Sequence, residues 1–437
     1  MTPPLIPLSP ALLCSIFRGR DLPFILRRIA RRHGDLVQMR EGIWLASHPE
    51  LVQQILVANP TKWSKHRGIE KTKLLLGEGI LGSEGDLHRS RRRVLQPLFA
   101  TSRLSLYADT IVQCALETRE GWRGGQTVDM GAEMSILALR IVTRSVFGIG
   151  IDGKEQQVSS ALDEAMRLFN GSMTPIGDWL ETLPYFQRRF GKARSQLDEI
   201  VYDLIETKRR EGAVGEDVVS VLLRVRDEEG NGLNDEAIRD EAMTLLLAGH
   251  ETTANAMTFA WWFLSRYASV RQNMEAEVDS VLGNVTANYE DARSLPWTRA
   301  VLSETMRLLP PAWIVGRRAT QDLTLESAGR TYPVPAGTTL LASSFVVHRD
   351  GRFWPEPRRF DPSRWMGDFT PTKWSYFPFG GGHRACLAEG FAWMEAVLAL
   401  ATLAQQFRAH EFGPLLLEPS VTLRPYKKLL MRLEKRS

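Results

Sequence analysis

Cysteine is scarce in this chain. Cys14, Cys114 and Cys386 are its three cysteines among 437 residues, an odd number at wide spacings. This pattern excludes a disulfide framework, a zinc site built on four cysteines and an iron–sulfur cluster held by a cysteine quartet. A chain with this cysteine usage is expected to work in a reducing, cytoplasmic setting.

Long hydrophobic runs are also lacking. The apolar opening, MTPPLIPLSPALLCSIF, is short, has no charged region before it and is interrupted by four prolines. A membrane-spanning helix needs about 20 consecutive apolar residues, and a signal peptide begins with a positively charged region. Neither is predicted, so residues 1–20 are expected to form a flexible N-terminal segment, for which shallow contact with a membrane stays open.

An excess of one charge is missing as well. The 55 basic and 51 acidic residues leave a formal net charge of +4, with 43% of the chain hydrophobic. This excess falls short of the concentrated basic patches of nucleic-acid-binding domains. The sequence has no internal repeat, low-complexity tract or long linker. Residues 1–437 are therefore expected to form one domain with a large core.

Strand-like stretches are short and lie near the two ends of the chain. They are LVQMREGIWLAS from Leu36, LTLESAGRTYPV from Leu323 and SVTLRPYKKLLMRL from Ser420. Helical periodicity dominates between the first two of them. The pattern predicts a mainly α protein with small β-sheets.

One long helix is predicted from about Asp235 to about Tyr267. Its length would be on the order of 45 Å, enough to cross a domain. From Met243 to Leu264 it is apolar on nearly all faces, as a helix at the centre of a core should be. The polar stretch AGHETT in its middle breaks this pattern and needs another explanation.

Three motifs match known catalytic patterns only in part. GEGILG at 77–82 has the glycine spacing of a dinucleotide-binding loop, but HRSRRRVLQPLF follows it instead of a βαβ pattern. HRD at 348–350 resembles a kinase loop, yet Pro355 stands at the position of its asparagine. HE at 250–251 begins a zinc-protease motif in which Ala254 replaces the second histidine. Dinucleotide, kinase and zinc-protease functions are therefore not supported.

The stretch FPFGGGHRACLAEG, residues 377–390, makes Cys386 a candidate thiolate. Three consecutive glycines, a histidine and an arginine precede it, and an apolar helix is predicted to follow. Glycines let backbone N–H groups approach the sulfur, and a helix N-terminus adds positive potential, so the pKa of the thiol is expected to fall. The alternative is a small buried cysteine beside a turn.

A second candidate is the pair of Glu304 and Arg307 in LPWTRAVLSETMRLLPPAW. The two residues are three positions apart on a helix that two prolines end, so they share one face and can form an ion pair. Such pairs are also common on solvated helix surfaces. The downstream segment HRDGRFWPEPRRFDPSRW offers Arg364 as a further partner for the same carboxylate.

Together these motifs resemble those of the cytochrome P-450 haem-thiolate monooxygenases. FGGGHRACLA is similar to the haem-binding signature of that family, ETMR to its ExxR element, and FDPSRW to the segment that supplies a third partner. AGHETT resembles its oxygen-activation motif, and HRSRR at 88–92 resembles the helix that faces a haem propionate. The motifs follow the expected order from about residue 35 onward. Ala388 replaces the usual glycine, which alanine tolerates if the backbone there is helical.

The resemblance implies a mainly α, single triangular haem domain that binds haem b through Cys386 as the axial ligand of the iron. The two propionates are expected to meet His88, Arg92, Arg317 and Arg384, since guanidinium groups pair well with carboxylates. Arg318 competes with Arg317 for that role. The residues that would contact the haem are His88, Arg92, Ala248, Gly249, Arg317, Phe379, Gly380, Arg384 and Ala388.

Glu251 and Thr252 are the catalytic residues that the resemblance implies. Ala248 and Gly249 have little side chain, so the central helix can come close to the haem. Thr252 can hydrogen-bond to a backbone carbonyl and open the helix locally, and Glu251 can relay protons from bulk water. Within the family, such an acid–alcohol pair resembles oxygen-dependent members and differs from the peroxide-using branch.

The implied reaction inserts one oxygen atom of O2 into an apolar organic substrate that is terpenoid, carotenoid or fatty-acid-like. Electrons would come from a ferredoxin or flavodoxin with its NAD(P)H-dependent reductase, docked on the cysteine side near Arg358, Arg359 and Lys373. A monomer is expected. A haem-thiolate peroxygenase or isomerase, and a non-catalytic haem sensor or carrier, are the alternatives.

Overall fold

The computed structural model describes residues 3–5, 21–57, 60–151, 153–172, 177–226 and 229–436. Most of the segment 1–20, for which flexibility is predicted, lies outside the described residues. Within the described part, none of the helices combines the length and the apolar character that crossing a membrane requires.

Helices make up most of the described chain, and the predicted mainly α class with small β-sheets is confirmed. In chain order they are α1 (Leu22–His33), α2 (Pro49–Val57), α3 (Arg67–Leu76), α4 (Gly85–Leu95), α5 (Ser105–Gly121), α6 (Met130–Val146), α7 (Glu155–Ser172), α8 (Gly177–Thr182), α9 (Pro184–Arg210), α10 (Val218–Arg224), α11 (Asp235–Arg266), α12 (Ala268–Val281), α13 (Asp291–Ser294), α14 (Pro296–Leu308), α15 (Ser344–Val347) and α16 (Glu389–Ala404).

The strands are short and form four small sheets, with orders β1-β2-β8-β5-β3, β4-β12-β9, β6-β7 and β10-β11. The pairing of β2 with β8 is parallel, and the other pairings are antiparallel. Their bounds are β1 (Leu36–Arg40), β2 (Ile43–Ala46), β3 (Trp63–Ser64), β4 (Thr127–Asp129), β5 (Val315–Ala319), β6 (Leu323–Ser327), β7 (Arg330–Val334), β8 (Thr339–Ala342), β9 (Phe407–Glu411), β10 (Leu417–Pro419), β11 (Leu423–Pro425) and β12 (Leu430–Lys435).

The long central helix of the sequence prediction is α11. Asn234 caps its first turn, since the Asn234 side chain accepts a 2.8 Å hydrogen bond from the backbone N–H of Ala237. The helix is buried along most of its length and packs against α6, α9, α14 and α16. Because α11 is buried among these helices, any polar residue on it needs a partner or a cavity.

Two of the helices that pack on α11 carry the other motifs. α14 ends at Leu308, just before the two prolines at 310 and 311, and holds Glu304 and Arg307. α16 begins three residues after Cys386. Since α14 and α16 also pack against each other, the fold brings the cysteine loop and the ExxR element to neighbouring helices.

Candidate active site

The cysteine loop is a closed turn that ends at α16. The backbone N–H of Cys386 donates to the carbonyl of Phe379 at 2.9 Å, and that of Ala385 donates to the carbonyl of Gly382 at 3.0 Å. Gly380 and Gly382 have φ angles of 71° and 69°, in the left-handed region that glycine adopts without strain. The glycines therefore set the path of the backbone that leads to the sulfur.

The same loop lies very close to α2. A Cβ atom added to Gly382 would stand 2.1 Å from the carbonyl oxygen of Leu56, and one added to Gly381 would stand 2.3 Å from the ring of Trp374. Backbone atoms cannot move aside as the end of a flexible side chain can. The glycine at position 382 is thus required by a close approach as well as by its φ angle.

The Cys386 thiol does not have the lowered pKa that the sequence predicts. Cys386 is exposed by surface area, yet protein atoms surround it at short range, and the resulting desolvation raises its pKa to about 11. The backbone N–H of Ala388 and the charge of Arg92 act in the opposite direction but are weaker. For the protein without a metal ion, the predicted fall in the pKa of Cys386 is wrong. The prediction considered the backbone N–H groups and left out desolvation. A metal ion would reverse the balance, since it deprotonates a coordinating thiol.

Ala388 is the N-cap of α16, with φ −103° and ψ 25°. The backbone at Ala388 is therefore not in the regular helical region. That conformation was the condition under which alanine was expected to replace the usual glycine. Its φ is negative, however, so an L-residue adopts this conformation without the strain of the left-handed region. The side chain of Phe379, at the start of the loop, packs against Trp393 of α16 with ring centroids 5.6 Å apart.

Arg317 and Arg384 are two buried cations with unused donors. Nε of Arg317 and one terminal nitrogen of Arg384 are buried and lack a hydrogen-bond partner among the described residues. Burial, followed by repulsion from Arg384, lowers the pKa of Arg317 to about 10. Glu84 pairs with Arg384 through another guanidinium nitrogen. Because unpartnered buried donors are costly, these groups are suited to an anionic ligand.

Arg317 and Arg318 lie on opposite faces of β5. Arg317 is 6% exposed, whereas Arg318 is exposed to solvent. The alternation follows from the two-residue period of a strand. The sequence does not decide which of Arg317 and Arg318 would meet a propionate. Arg317 is the one that lies beside Arg384.

His88 and Arg92 project from α4 toward the cysteine loop. His88 is buried, and burial with the nearby Arg384 lowers its pKa to about 3, so the ring is neutral. A terminal nitrogen of Arg92 donates to the carbonyl of Ala385 at 2.9 Å. Both side chains line a cavity of about 370 Å³ together with His383 and Arg384. The structure thus brings four of the predicted haem contacts, His88, Arg92, Arg317 and Arg384, into one neighbourhood.

Lys65 is a member of this basic neighbourhood that sequence reasoning missed. It is buried, and desolvation together with repulsion from Arg384 lowers its pKa to about 7. A lysine between β3 and α3 belongs to none of the motifs, so only the tertiary structure identifies it.

Glu304 and Arg307 form a fully buried network. Nε of Arg307 donates to Glu304 at 2.7 Å, and a terminal nitrogen donates to the other carboxylate oxygen at 2.8 Å. Its remaining N–H groups donate to three backbone carbonyls at 2.9 Å each: those of His348, Pro357 and Arg359. All five guanidinium donors are therefore used, so the pair does not belong to a solvated helix surface.

The Glu304 carboxylate has three more partners in the segment that follows α15. Arg364 Nε and the backbone N–H of Asp361 donate to one oxygen at 3.0 Å each. The indole N–H of Trp365 donates to the other oxygen at 3.0 Å. Arg364 is thus the further partner of Glu304 that the sequence predicts. The contact of Trp365 with Glu304 is not predicted by any of the motifs.

Ala248 interrupts the buried surface of α11. It is exposed, although the residues that precede and follow it on the helix are mostly buried. A Cβ on Gly249 would approach Val142 of α6 to 3.0 Å, so this glycine allows close helix packing. The hydroxyl of Thr252 donates to the carbonyl of Ala248 at 2.7 Å. This bond from a side chain to the preceding turn is the one expected of a helix that can open locally.

Glu251 is held by the hairpin of β10 and β11. Its Oε1 accepts a 2.7 Å hydrogen bond from the hydroxyl of Thr422 and lies 3.9 Å from a guanidinium nitrogen of Arg424. Burial raises the pKa of Glu251, and Thr422 and Arg424 oppose that rise. Arg424 also reaches Glu418 at 2.8 Å and the exposed Asp163 at 4.0 Å. Polar groups therefore connect Glu251 to the surface.

Three cations, Arg358, Arg359 and Lys373, are predicted to meet a redox protein. Arg359 pairs with Glu356 at 3.0 Å, and Lys373 is exposed. Arg358 lines a cleft of about 780 Å³ against α1. Two arginines of α4, Arg89 and Arg93, are exposed at the cavity that Arg384 lines.

These residues fit a haem. A cysteine loop offers a thiol, unpartnered guanidinium nitrogens of Arg317 and Arg384 are available for two carboxylates, and Ala248 presents a small exposed side chain on a buried helix. An apolar protein interior would leave these polar groups unsatisfied without such a ligand.

Comparison with known proteins identifies the family of this chain. The family model described as cytochrome P450 matches residues 3–429. Cyclooctat-9-en-7-ol 5-monooxygenase of Streptomyces melanosporofaciens is 36% identical over 391 residues, which cover 86% of this chain and 83% of that protein. Pentalenene oxygenase of Streptomyces avermitilis is 31% identical over 401 residues, with coverage of 90% and 87%.

The solved structures agree. The heme domain of cytochrome P450DA has a TM-score of 0.88 and 25% sequence identity, and the match covers 100% of this chain and 98% of that one. The predicted family, fold and enzyme class are confirmed. The chain belongs to the cytochrome P450 family and is a P450 monooxygenase, a haem enzyme.

Proposed function

We propose that this enzyme hydroxylates a terpenoid, with haem b as its cofactor. The observation that carries the proposal is the contact of Glu251 with Thr422 and Arg424 in the AGHETT stretch of helix α11. A haem carrier would not need a half-buried acid with a polar connection to the surface. The terpenoid class is supported by the names of two relatives, the cyclooctat-9-en-7-ol 5-monooxygenase and the pentalenene oxygenase.

Cys386 is the proposed axial ligand of the haem iron, and the glycine loop is the proposed support of its sulfur. When bound, the haem supplies the activation of O2, which thiolate ligation favours. The unused guanidinium nitrogens of Arg317 and Arg384 support their assignment to the two propionates, with His88 and Arg92 beside them. Ala248, Gly249, Phe379, Gly380 and Ala388 are proposed as the remaining haem contacts.

The buried Glu304–Arg307–Arg364 network is proposed as the structural support of the cysteine loop. It fixes the segment after α15 to α14, which packs against α16. A buried ion pair with all donors used holds one geometry, because any other leaves a charge without partners. The network therefore positions the loop without touching the substrate.

Glu251 and Thr252 are the proposed proton-transfer residues. The Glu251 carboxyl takes up a proton through the polar connection of Thr422 and Arg424, and its raised pKa favours retention of that proton. Thr252 holds its hydroxyl against the Ala248 carbonyl, which orients it on the exposed strip of α11. Glu251 and Thr252 thus donate protons to the reaction at a fixed position, in place of uncontrolled proton transfer from bulk water.

We also propose a ferredoxin or flavodoxin, with its NAD(P)H-dependent reductase, as the electron donor. The exposed Arg89 and Arg93 on α4 support a docking face near Arg384, where an acidic partner would be attracted. We propose further that residues 1–437 form one haem domain, which acts as a monomer in the cytoplasm. The span of the family match, residues 3–429, supports the single domain.

The first experiment tests the haem ligand. Reduced wild-type protein under carbon monoxide should show the absorption band of thiolate-ligated haem. Cys386→Ser should lose that band, whereas Cys114→Ser, which changes a buried cysteine of α5, should keep it. An unchanged band in Cys386→Ser would refute the ligand assignment.

The second experiment tests the reaction. A panel of terpenoid hydrocarbons and alcohols is screened by binding spectra, and the compounds that bind are supplied with a surrogate redox chain under O2. Hydroxylated product that carries label from 18O2 supports the proposal. Product that forms only with added peroxide identifies a peroxygenase, and binding without product in either condition identifies a carrier, so each of these results contradicts the proposal.

A further inference from the structure

A cleft of about 780 Å³ lies between α1, the C-terminal end of α11 and the β10–β11 hairpin. Its volume is in the range of sites that hold one small-molecule ligand. None of the described residues that line it is a proposed haem contact or a proposed proton-transfer residue. The cleft is therefore a candidate binding site with a lining of its own.

The lining of the cleft is rich in arginine. Its described residues include no aspartate or glutamate, although the chain as a whole has 55 basic and 51 acidic residues. The nearby acid Asp350 pairs at 2.7 Å with Arg352, which does not line the cleft. None of the lining arginines forms an ion pair with a described acidic residue. These arginines are Arg27, Arg28, Arg31, Arg32, Arg349 and Arg358.

Four of the lining arginines share one side of α1. Arg27 and Arg31 are four residues apart, as are Arg28 and Arg32, so like charges stand one above the other on the helix. Like charges at this spacing destabilise a helix. The first turn of α1 has no acidic residue that would offset them. The helix thus carries a concentration of positive charge that an anionic ligand would stabilise.

Arg349 brings a buried cation to the same cleft. It is 8% exposed, its guanidinium carbon lies 3.6 Å from the centre of the Phe345 ring, and one terminal nitrogen donates to the Phe345 carbonyl at 3.2 Å. Burial, followed by repulsion from Arg307 and Arg27, lowers the pKa of Arg349. Burial, followed by repulsion from Arg358, lowers the pKa of Arg27, whose Nε is buried without a hydrogen-bond partner among the described residues. An anion between these cations would relieve their repulsion.

The rest of the described lining is aromatic or aliphatic. Phe24 of α1 is 50% exposed, which is high for a large apolar side chain. Tyr267 follows α11, Leu309 follows α14, and Leu417 lies on β10. The indole N–H of Trp262 is buried without a hydrogen-bond partner among the described residues. A mostly apolar cavity with a few converging polar donors is the usual form of a small-molecule site.

We propose that the cleft binds one molecule of an amphiphile that has a long apolar chain and a phosphate head group. Guanidinium groups pair with phosphate oxygens through two parallel hydrogen bonds and stay charged across the physiological pH range. A carboxylate carries one negative charge, whereas a phosphate monoester carries about 1.5 to 2 near pH 7. Six arginines without an acidic partner among the described residues therefore favour the phosphate. The chain lies on the apolar side that α11, α14 and the hairpin form.

The test measures the binding of dodecyl phosphate to the purified, haem-loaded protein by titration calorimetry. Clotrimazole, an azole that binds ferric haem, is present at saturation in one series and absent from the other. One molecule of dodecyl phosphate should bind per protein in both series, because the cleft and the haem site share no described lining residue. Dodecanol lacks the head group and inorganic phosphate lacks the chain, so each should bind at least about tenfold more weakly.

Two arginine variants test the head-group contact. In Arg27→Ala and in Arg358→Ala, the dissociation constant for dodecyl phosphate should rise about tenfold, the effect of losing a hydrogen bond between charged groups. Arg358 is exposed and Arg27 is half-buried, so both variants should fold and keep their haem. Arg359→Ala is the matched control, because Arg359 is the exposed neighbour of Arg358 and does not line the cleft. It should leave the constant unchanged.

A second matched pair tests the chain contact. Leu415 lines the cleft and is half-buried, whereas Leu416 is 44% exposed and does not line it. Leu415→Asn should weaken the binding of dodecyl phosphate, and Leu416→Asn should not. Inorganic phosphate should bind both variants equally.

Three results would overturn the proposal. The first is an equal affinity for dodecyl phosphate in Arg27→Ala, Arg358→Ala and Arg359→Ala. The second is loss of binding in the presence of clotrimazole, which would place the ligand in the haem pocket. The third is binding to vesicles of phosphatidylglycerol without binding of dodecyl phosphate, which would identify a membrane contact instead.

Discussion

The hydroxyl of Thr422 donates a 2.7 Å hydrogen bond to a carboxylate oxygen of Glu251, a residue 171 positions earlier in the chain. The contact joins the C-terminal hairpin to the helix that carries the acid–alcohol pair. It also lowers the pKa of Glu251, which burial raises. The hairpin therefore tunes the acid of the proposed proton path.

Thr422→Val should move the pH dependence of product formation. Loss of the hydroxyl removes an effect that lowers the pKa of Glu251, so the pKa rises further and the carboxylate forms at higher pH. The alkaline limb of the profile of product per NAD(P)H should shift upward, because Glu251 keeps its proton to a higher pH. Thr422→Ser keeps a hydroxyl and should retain the wild-type limb. Superimposable profiles for Thr422→Val and wild type would show that this hydrogen bond does not tune the path.

Thr252→Ala should uncouple electron use from product. Substrate binding and electron acceptance do not need the hydroxyl, so NAD(P)H consumption should continue while peroxide replaces product. Ordered proton transfer typically contributes about 10²–10⁴-fold, so the loss should be large. The matched control is Thr258→Ala on the same helix, because Thr258 makes an equivalent 2.7 Å bond to the carbonyl of Ala254. Equal peroxide yields from the two variants would leave Thr252 without a chemical role.

Glu304→Gln should lower the free energy of unfolding by about 3–5 kcal/mol, because it leaves Arg307 charged and incompletely paired in the interior. Little haem-loaded protein should be recovered. Glu356→Gln breaks the exposed pair of Glu356 and Arg359 and should cost about 0–1 kcal/mol. Denaturant unfolding of both proteins measures the difference. A Glu304→Gln protein as stable and as haem-loaded as Glu356→Gln would contradict the support role of the network.

Arg317→Ala should release haem faster than wild type, since it removes one of the buried cations with an unused donor. Arg318→Ala changes the neighbouring exposed arginine and should release haem at the wild-type rate. The rate is measured by transfer of haem to apomyoglobin. Faster loss from Arg318→Ala than from Arg317→Ala would reverse the assignment of these two residues.

Gly382→Ala should prevent formation of the native cysteine loop. The new Cβ would meet the Leu56 carbonyl oxygen at 2.1 Å, and φ at this position is 69°. Gly413→Ala is the control, because a Cβ there meets nothing within 4 Å. The height of the carbon monoxide band per mole of protein reports the loop. Equal bands from the two variants would mean that the loop moves away from α2 without loss of function.

The sequence predicts those parts of the site that are local. Glu304 and Arg307 are one helical turn apart, and the glycines and Cys386 lie in one loop, so spacing and residue type are enough to identify them. The long helix α11 is predicted almost to its ends, because its apolar character extends over many turns.

The remaining contacts depend on pairings between distant segments. Thr422 meets Glu251 only because the C-terminal hairpin folds onto α11, and Lys65 meets the loop at 77–83 from a segment without a motif. Arg317 is distinguished from Arg318 only by the register of β5. The pKa of Cys386 was predicted in the wrong direction because desolvation is a property of the folded surroundings, which a sequence pattern does not contain.

The parallel pairing of β2 with β8 has a consequence for biosynthesis. Ile43 pairs with Thr339, almost 300 residues later in the chain. At a translation rate of about 5–20 residues per second, the edge of β2 that pairs with β8 stays unpaired for roughly 15–60 s before its partner strand is made. A strand edge exposed for so long is a site for wrong pairing. Translation speed and chaperone supply should therefore affect the yield of this enzyme.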